Sequence, residues 1–594
     1  MKGAELTGSQ CFVTVILAVI VVLLYSRKLS APVIFLSAAA VLAISGIISP
    51  SEALAGFGND AIAVMLMLLV ISQIIWRTGF VQWIFEVRLK PSSRYRVFLS
   101  QMMPFVGGSS AFMNNTPVVA MMIPFVSDWG NRHNIPASKL LLPLSWAAIL
   151  GGMITLIGTS TNLIVNSLVV GSGEKGLSIL DFTPVGLMLF TGGMAYVLLF
   201  GYKTLPRRKS PSEKLAESPR EYITNLIVEA GSDLVGKTVE SASLRSLKDL
   251  FLVEILRGDT VIAPVVPYEV LEAGDQLLLA GKISAVAELV AGRKGLSLAG
   301  EEDFPEAEKI HVVKVVVSPR SSFIGVKVKN TNFRGRFDAA ILAVHRQGRR
   351  EEGKIGDMKL RSGDLLLLVT GDDFAGSTAN TEDFFVISMI RQIHNIDMKK
   401  SIFITASGFS CILLSIFGLV PLFNSLLALI AVFLISRIVS AGELKSMINM
   451  NLLVVAAFAI AVGRAVQVTG LGDLLANSVV AWFEPLGVIG VLAAVYLTTN
   501  ILAELITTTA AATIVFPFAA ASATALGIDG TPFYLAVAYG AAANFITPVG
   551  YQTNLMIFGP GGYHINDFLK AGLPLKLICA VIAITGISLV HGLF

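Results

Sequence analysis

Two stretches of this chain decide how it folds: NTPVVAMMIPF (Asn115–Phe125) and TTAAATIVFPF (Thr508–Phe518), 393 residues apart. Each starts on polar residues, turns apolar and closes on Pro-Phe. A second pair, TLIGTSTNLIV (Thr155–Val165) and TPVGYQTNLMI (Thr547–Ile557), is offset by 392 and shares five identities in eleven. Thr78-Gly79 and Thr469-Gly470 match at an offset of 391. Three matches in register describe a chain built from two related halves.

Composition says where those halves reside. Of 594 residues, 54% are hydrophobic, 14% are charged, and the mean hydropathy is +0.73, too apolar for a soluble enzyme. Between residues 203 and 400 lie 57 of the 86 charges, which leaves 29 for the other 396 residues. Two hydrophobic halves around one polar insert follow. The net charge of +4 comes without a basic run, so nothing points to nucleic acid. Cys11, Cys411 and Cys579 all sit in apolar stretches and offer neither a disulfide framework nor a zinc cluster.

Apolar runs of bilayer-crossing length, roughly 17–25 residues, occur near 11–26, 30–49, 61–79, 140–169 and 183–202, then near 401–419, 422–440, 452–470, 531–558 and 571–593. The stretches 97–127 and 485–526 carry polar triplets near their middles and read as re-entrant hairpins. Ten crossings with the N-terminus outside place 13 of the 16 Lys/Arg beyond the insert on the cytoplasmic side, with Lys2, Lys175 and Arg464 as exceptions. That orientation puts the insert in the cytoplasm of a cell-membrane protein. The first apolar segment reads as a span rather than a removable signal. Five crossings per half is an odd number, so the second half is inverted. The expected fold is an α-helical polytopic membrane protein with inverted five-span repeats, two re-entrant hairpins and a cytoplasmic α/β insert. Inverted repeats with broken helices build midplane sites in secondary transporters: half-helix N-termini face an anion, and freed carbonyls hold a cation.

With these residues the chain resembles the divalent anion:sodium symporter family, which includes sodium-coupled sulfate and dicarboxylate transporters. The family's two Ser-Asn-Thr tips correspond to Asn114-Asn115-Thr116 and to Thr507-Thr508-Thr509, the latter preceded by Glu504. Its second motif matches Gly158-Thr159-Ser160-Thr161-Asn162 and Gly550-Tyr551-Gln552-Thr553-Asn554. The resemblance covers 1–202 and 401–594. It implies an elevator-type carrier, usually a homodimer in the bilayer, with sodium ions beside each tip. Sodium would be held by Asn114, Asn115 and Gly158 in one half, and by Thr507, Thr508 and Gly550 in the other. Asn115, Thr116, Thr159, Thr508, Thr509 and Tyr551 would face a small inorganic or organic dianion. The tips depart from the pattern: Asn114 replaces a serine, the second tip lacks its asparagine, and Tyr551 stands in place of a threonine. Those departures favour sulfate over a C4 dicarboxylate.

Between the halves, 222–292 and 309–373 read as two short α/β units, each ending in Gly-Asp-x-Leu (Gly274-Asp275 and Gly363-Asp364) and each carrying a Gly turn, at Gly236 and Gly325. They resemble two TrkA-C (RCK C-terminal) domains, which implies a regulatory small ligand such as a nucleotide. GEEDFPEAEK (Gly300–Lys309) reads as the linker, KTLPRRKSPSEK (Lys203–Lys214) as a membrane-surface tether.

Other readings were weighed. Glu504 in an apolar run is costly by about 3 kcal/mol when ionised. It fits a structural cap or ion pair better than a coupling proton site, which a sodium/proton antiporter or arsenite-type exporter would need. Arg464 reads as the lone cation at membrane depth and as an ion-pair partner rather than a substrate clamp. His133, His564 and the run Arg346–Arg350 read as solvated. The segment Thr547–Tyr551 has the look of a potassium filter, but Pro548 interrupts it and its repeat partner is no filter. No HExxH, GxSxG or Walker motif is present, so no enzyme is expected.

Overall fold

The computed structural model describes residues 7–593, apart from 27, 81–83, 85–93, 209–222, 245–246, 248–249, 259, 263–264, 267, 282–288, 290–294, 299–311, 319–320, 347–348, 352–354, 371–373, 375–382, 387–397 and 549. The linker at 300–309 and the distal tether fall outside the described residues. The first half contains α1 (Gly8–Ser26), α2 (Ala31–Ile44), α3 (Pro50–Leu54), α4 (Asp60–Arg77), α5 (Tyr95–Ser110), α6 (Asn115–Arg132), α7 (Ser138–Gly152), α8 (Ser160–Gly171) and α9 (Thr183–Tyr196). The second contains α10 (Met398–Ile416), α11 (Leu422–Ile435), α12 (Ala441–Met447), α13 (Met450–Val468), α14 (Leu471–Phe483), α15 (Gly487–Leu505), α16 (Thr508–Leu526), α17 (Thr531–Ala542), α18 (Gln552–Phe558) and α19 (Ile565–His591).

The repeat is visible at the level of caps. Ser49 and Glu52 form a capping box at α3, and Ser440 and Glu443 form the same box at α12. Their acids then cross over. Glu443 pairs with Arg77 at 3.4 Å, and Glu52 pairs with Arg464 at 2.9 Å, so each half holds the other's cap. Packing interleaves the halves in the same way, with α13 on α2 and α3, and α11 on α4. A second group joins α5, α6 and α7 to α8, α15, α16, α17 and α18, with α9 against α19. Outward-facing apolar side chains such as Val15, Val22, Leu577 and Val581 leave a surface suited to lipid.

Among the described residues, eight helices are long and apolar enough to cross a membrane. The run 140–169 is broken into α7 and α8, and 531–558 into α17 and α18, because residues 153–159 and the described residues of 543–551 leave the helix around buried Asn162 and Asn554. The arms of the second hairpin are long. α15 and α16 have 19 residues each, about 28 Å at 1.5 Å per residue, and count among the eight. Pro124 and Pro517 lie inside the two returning arms, where each removes one helical hydrogen bond.

The insert forms two five-stranded sheets, antiparallel throughout, with short helical segments such as Phe333–Phe337 beside them, in keeping with the expected α/β insert. The first comprises β1 (Ile223–Val228), β2 (Leu250–Arg257), β3 (Thr260–Ile262), β4 (Gln276–Gly281) and β5 (Leu296–Leu298), in the order β3-β2-β4-β1-β5. The second comprises β6 (Val312–Val317), β7 (Ala339–Arg346), β8 (Arg349–Arg350), β9 (Leu365–Thr370) and β10 (Phe384–Val386), in the order β10-β6-β9-β7-β8. The topologies coincide strand for strand. Both units run past the expected ends at 292 and 373, since three-residue edge strands complete them. Gly236, Gly274, Gly325 and Gly363 all have positive φ, as the turns require.

Arg346 is not a solvated turn residue. Its guanidinium makes a fork to buried Asp364 at 2.8 and 2.7 Å, as Arg257 does to Asp275 at 2.8 and 2.9 Å. The Asp364 hydrogen bonds hold the arginine's pKa above its usual range. Asp364→Ala, which strands that charge, is expected to destabilise the second unit by about 3 kcal/mol. Faster proteolytic nicking between residues 309 and 386 of the full chain would register it.

The second unit seats directly on the helices. A methyl group on Gly363 would lie 2.8 Å from Leu555 Cδ1, and one on Gly559 would lie 3.2 Å from Leu365 Cβ. Leu365 and Val316 are buried with the helical core. The tether is pinned as well: Arg208 forks onto Asp567 at 3.1 and 3.0 Å, and Ser138 Oγ donates to the Pro206 carbonyl at 2.9 Å.

Candidate functional site

Four helix N-termini are built by the repeated motifs: α6 and α16 after the tips, α8 and α18 after the unwound turns. Asn114 caps α6, its Oδ1 accepting from Thr116 N at 3.1 Å, and Thr507 caps α16, its Oγ1 accepting from Ala510 N at 3.3 Å. Thr159 and Tyr551, the N-cap residues of α8 and α18, provide no side-chain cap. Among the described residues their side chains leave the first-turn N–H groups uncapped, and a helix N-terminus carries partial positive charge, the arrangement that receives anions.

The unwound turns share one internal construction. Asn162 Nδ2 donates to the carbonyls of Gly152 and Thr155 at 3.3 and 2.9 Å, and Asn554 Nδ2 to those of Asn544 and Thr547 at 2.9 and 3.2 Å. Thr155 Oγ1 accepts from Gly158 N at 3.2 Å while donating to the Ala111 carbonyl. Thr547 Oγ1 accepts from Gly550 N at 3.1 Å and donates to Glu504 Oε2 at 2.6 Å. Glu504 is the repeat partner of Ala111, so an acid side chain does in one half what a carbonyl does in the other.

The first tip and the two turns meet in one cluster. Asn115 Nδ2 donates to Tyr551 Oη at 2.6 Å, Tyr551 Oη and Thr159 Oγ1 are 3.0 Å apart, and Thr116 Oγ1 donates to Gln552 Oε1 at 3.0 Å. Asn115, Thr159 and Tyr551 are buried, and Thr116 is half-buried. Thr508 and Thr509 are half-buried and add no hydrogen bond to this cluster among the described residues. The tip asparagine and the tyrosine were singled out from sequence; their direct contact was not, because they lie 436 residues apart.

Cation chemistry is tested by the oxygens that lack partners. Ser110 Oγ, Asn115 Oδ1 and Asn162 Oδ1 are buried without a hydrogen bond. A methyl group at Gly158 would lie 2.6 Å from the Gly152 carbonyl oxygen and 2.8 Å from that of Ser110, and one at Gly152 would lie 2.6 Å from Asn115 Oδ1. Only glycine leaves this nook open, and neutral oxygens line it. These residues fit a monovalent hard cation such as sodium. Among the described residues no three His, Cys, Asp or Glu side chains cluster to hold a metal. Ser110 was missed from the sequence, which gives an unremarkable serine two residues from a phenylalanine no signal.

Glu504 is fully engaged. Oε1 accepts from Phe545 N and Ile546 N, both at 3.2 Å, and lies 3.4 Å from Lys576 Nζ. The Glu504 side chain is buried and that of Lys576 is largely so, with exposures of 5% and 13%. The expectation that Arg464 is the lone cation at depth is therefore corrected: Arg464 is about half exposed at its pair with Glu52, and among the described residues Lys576 is a more deeply set cation. It lies in α19, within the apolar run read at 571–593, and faces the Glu504 carboxylate. His133 and His564 are also half-buried, one stacked on Trp129 at 4.3 Å and the other at the N-cap of α19.

Two repeat-related unwound turns that meet inside a multi-pass helical protein are the architecture of a membrane transporter. The chain belongs to the citrate transporter family, whose model matches residues 21–540. It is similar to the "Putative sulfur deprivation response regulator" of Chlamydomonas reinhardtii, 34% identical over 93% of this chain and 97% of that one. It is also similar to the uncharacterized transporter sll0640 of Synechocystis, 30% identical over 93% and 92%. Sodium/sulfate cotransporter 2 of Chlamydomonas is 24% identical, over 90% and 84%. The expected kinship with sodium-coupled anion carriers holds, as does the expectation of a transporter rather than an enzyme.

Proposed function

We propose that this chain is a sodium-coupled symporter of a small dianion, sulfate in preference to a C4 dicarboxylate. It works by elevator-type alternating access as a homodimer in the cell membrane, with its insert in the cytoplasm. The observation that carries the reading is the pairing of uncapped N-termini at α8 and α18 with the orphaned oxygens of Ser110 and Asn115. Sodium beside the first tip supplies the positive charge that a dianion needs, and hydroxyls of Thr116, Thr159 and Tyr551 with Thr508 and Thr509 shape the pocket. A short, hydroxyl-rich pocket crossed by Tyr551 favours a compact tetrahedral oxyanion over an extended dicarboxylate. Relatives named for sodium/sulfate cotransport support the same choice. Glu504 is assigned a structural role, since its oxygens are already taken by two N–H groups, a hydroxyl and an ammonium. The two sheets of the insert act as TrkA-C-like regulatory units that bind a small ligand such as a nucleotide.

Uptake of radiolabelled sulfate into proteoliposomes, with and without an inward sodium gradient, tests this. Sodium-driven uptake that excess succinate leaves unchanged is the expected result. Succinate uptake without sulfate uptake would move the protein to the dicarboxylate branch. Uptake of neither would overturn anion symport.

A further inference from the structure

The second tip lacks the asparagine that the first one has, and Thr508 stands in its place. An amide nevertheless occurs in the second half, one element away. Asn544, at the unwound end of α17, is the repeat partner of Gly152, at the offset of 392 that relates Thr155 to Thr547 and Asn162 to Asn554. The two halves are thus opposite at a single contact. In the first, glycine at 152 leaves room for the amide of Asn115, whose Oδ1 would lie 2.6 Å from any Cβ there. In the second, the tip residue is short and residue 544 carries the amide. One amide fits in each nook, and each half draws it from a different side.

The Asn544 side chain is held through its amide nitrogen and leaves its oxygen unused. It is fully buried, and Nδ2 donates to the carbonyls of Ala541 and Gly550 at 3.1 and 3.4 Å. Oδ1 has no hydrogen-bond partner, like Asn115 Oδ1 in the first half. Around it lie the counterparts of the first nook. A methyl group on Gly550 would be 3.1 Å from the Ala503 carbonyl oxygen and 3.3 Å from Asn544 Cγ, where one on Gly158 meets the carbonyl oxygens of Ser110 and Gly152. A buried amide oxygen left without a donor costs about 1–3 kcal/mol unless something else satisfies it.

We propose that Asn544 Oδ1 is a sodium ligand that replaces the missing tip asparagine, so that the second half keeps a cation site made from Asn544, the Ala503 carbonyl and the backbone at Gly550. The proposal rests on the sodium-coupled reading and adds a residue to it. It also states that sodium binds in both halves despite the altered tip.

The test is sodium-dependent thermal stabilisation of the purified full-length protein, titrated with NaCl against choline chloride at constant ionic strength. The wild type is expected to respond with a Hill coefficient approaching 2, one ion per half, and Asn544→Gly with a value of about 1. The double variant Thr508→Asn/Asn544→Gly copies the first half's arrangement and is expected to regain the wild-type slope. Asn544→Asp keeps the shape, adds charge and is expected to move the midpoint to lower sodium, which gives a readout should the glycine variant not fold. Asn544→Gly with the wild-type slope, a folded double variant that stays near 1, or an unmoved midpoint in Asn544→Asp overturns the proposal. A wild type that sodium does not stabilise at all overturns the sodium-coupled reading itself.

Discussion

Lys576→Met is expected to cost about 3–5 kcal/mol of stability, the range found when one partner of a buried ion pair is removed. The loss is large because Glu504 cannot relocate. Its carboxylate is held by two main-chain N–H groups and the Thr547 hydroxyl, in the segment that leads to Gly550 and Tyr551. Without the ammonium, the charge stays buried and the segment it organises loosens. Glu504→Gln on the same background removes the charge and is expected to recover most of the loss, because an amide oxygen still accepts the N–H bonds. Thermal midpoints of the two single variants and the double variant, in one detergent, give the coupling directly. An unchanged midpoint for Lys576→Met would remove the ion pair from the account. The same variants separate symport from proton exchange: a folded Glu504→Gln/Lys576→Met protein that keeps sodium-driven uptake leaves Glu504 structural, whereas one that loses it makes Glu504 a proton carrier.

Tyr551→Phe should raise the KM for the transported anion by roughly 10–100-fold, from about 1–3 kcal/mol of lost hydrogen bonding at buried partners. The ring still fills its space, so packing is retained. What disappears is the Oη that accepts from Asn115 and touches Thr159, and with it the only direct hydrogen bond from the tip asparagine to the opposite half among the described residues. Tyr534→Phe is the matched control: its hydroxyl donates to Glu174 at 2.6 Å, away from the tips, and uptake kinetics should be unaltered. Equal KM values for Tyr551→Phe and wild type would sink the assignment of Tyr551 to the anion site.

The repeat was legible because the physics that demands it is local. Irregular backbone inside an apolar protein needs side chains that satisfy it nearby, so the Thr and Asn of each turn recur within eleven residues. For the same reason the glycine turns and Gly-Asp pairs of the insert announced two copies of one sheet. Long-range partners were not legible. Lys576 lies 72 residues from Glu504, on a helix that also carries Asp567 and Lys570 near its start, and the Lys/Arg bias assigned it with Lys570 to the cytoplasmic side. Asn544 was hidden for another reason: its counterpart is a glycine, and a repeat read by identities overlooks a position where the two halves exchange roles. Strands of three residues at 296–298 and 384–386 are too short to carry a pattern of their own, so the two units within the insert were drawn too short.

The crossed pairs of the capping acids set a timetable. Arg464 follows Glu52 by 412 residues. At roughly 5–20 residues per second, synthesis takes on the order of 20–80 s to span that distance. During that interval the face of α2 and α3 that later receives α13 has only lipid, water or an assisting protein beside it. The first half therefore leaves the ribosome as an unfinished surface, and the moment of greatest vulnerability for this carrier falls before its second half exists.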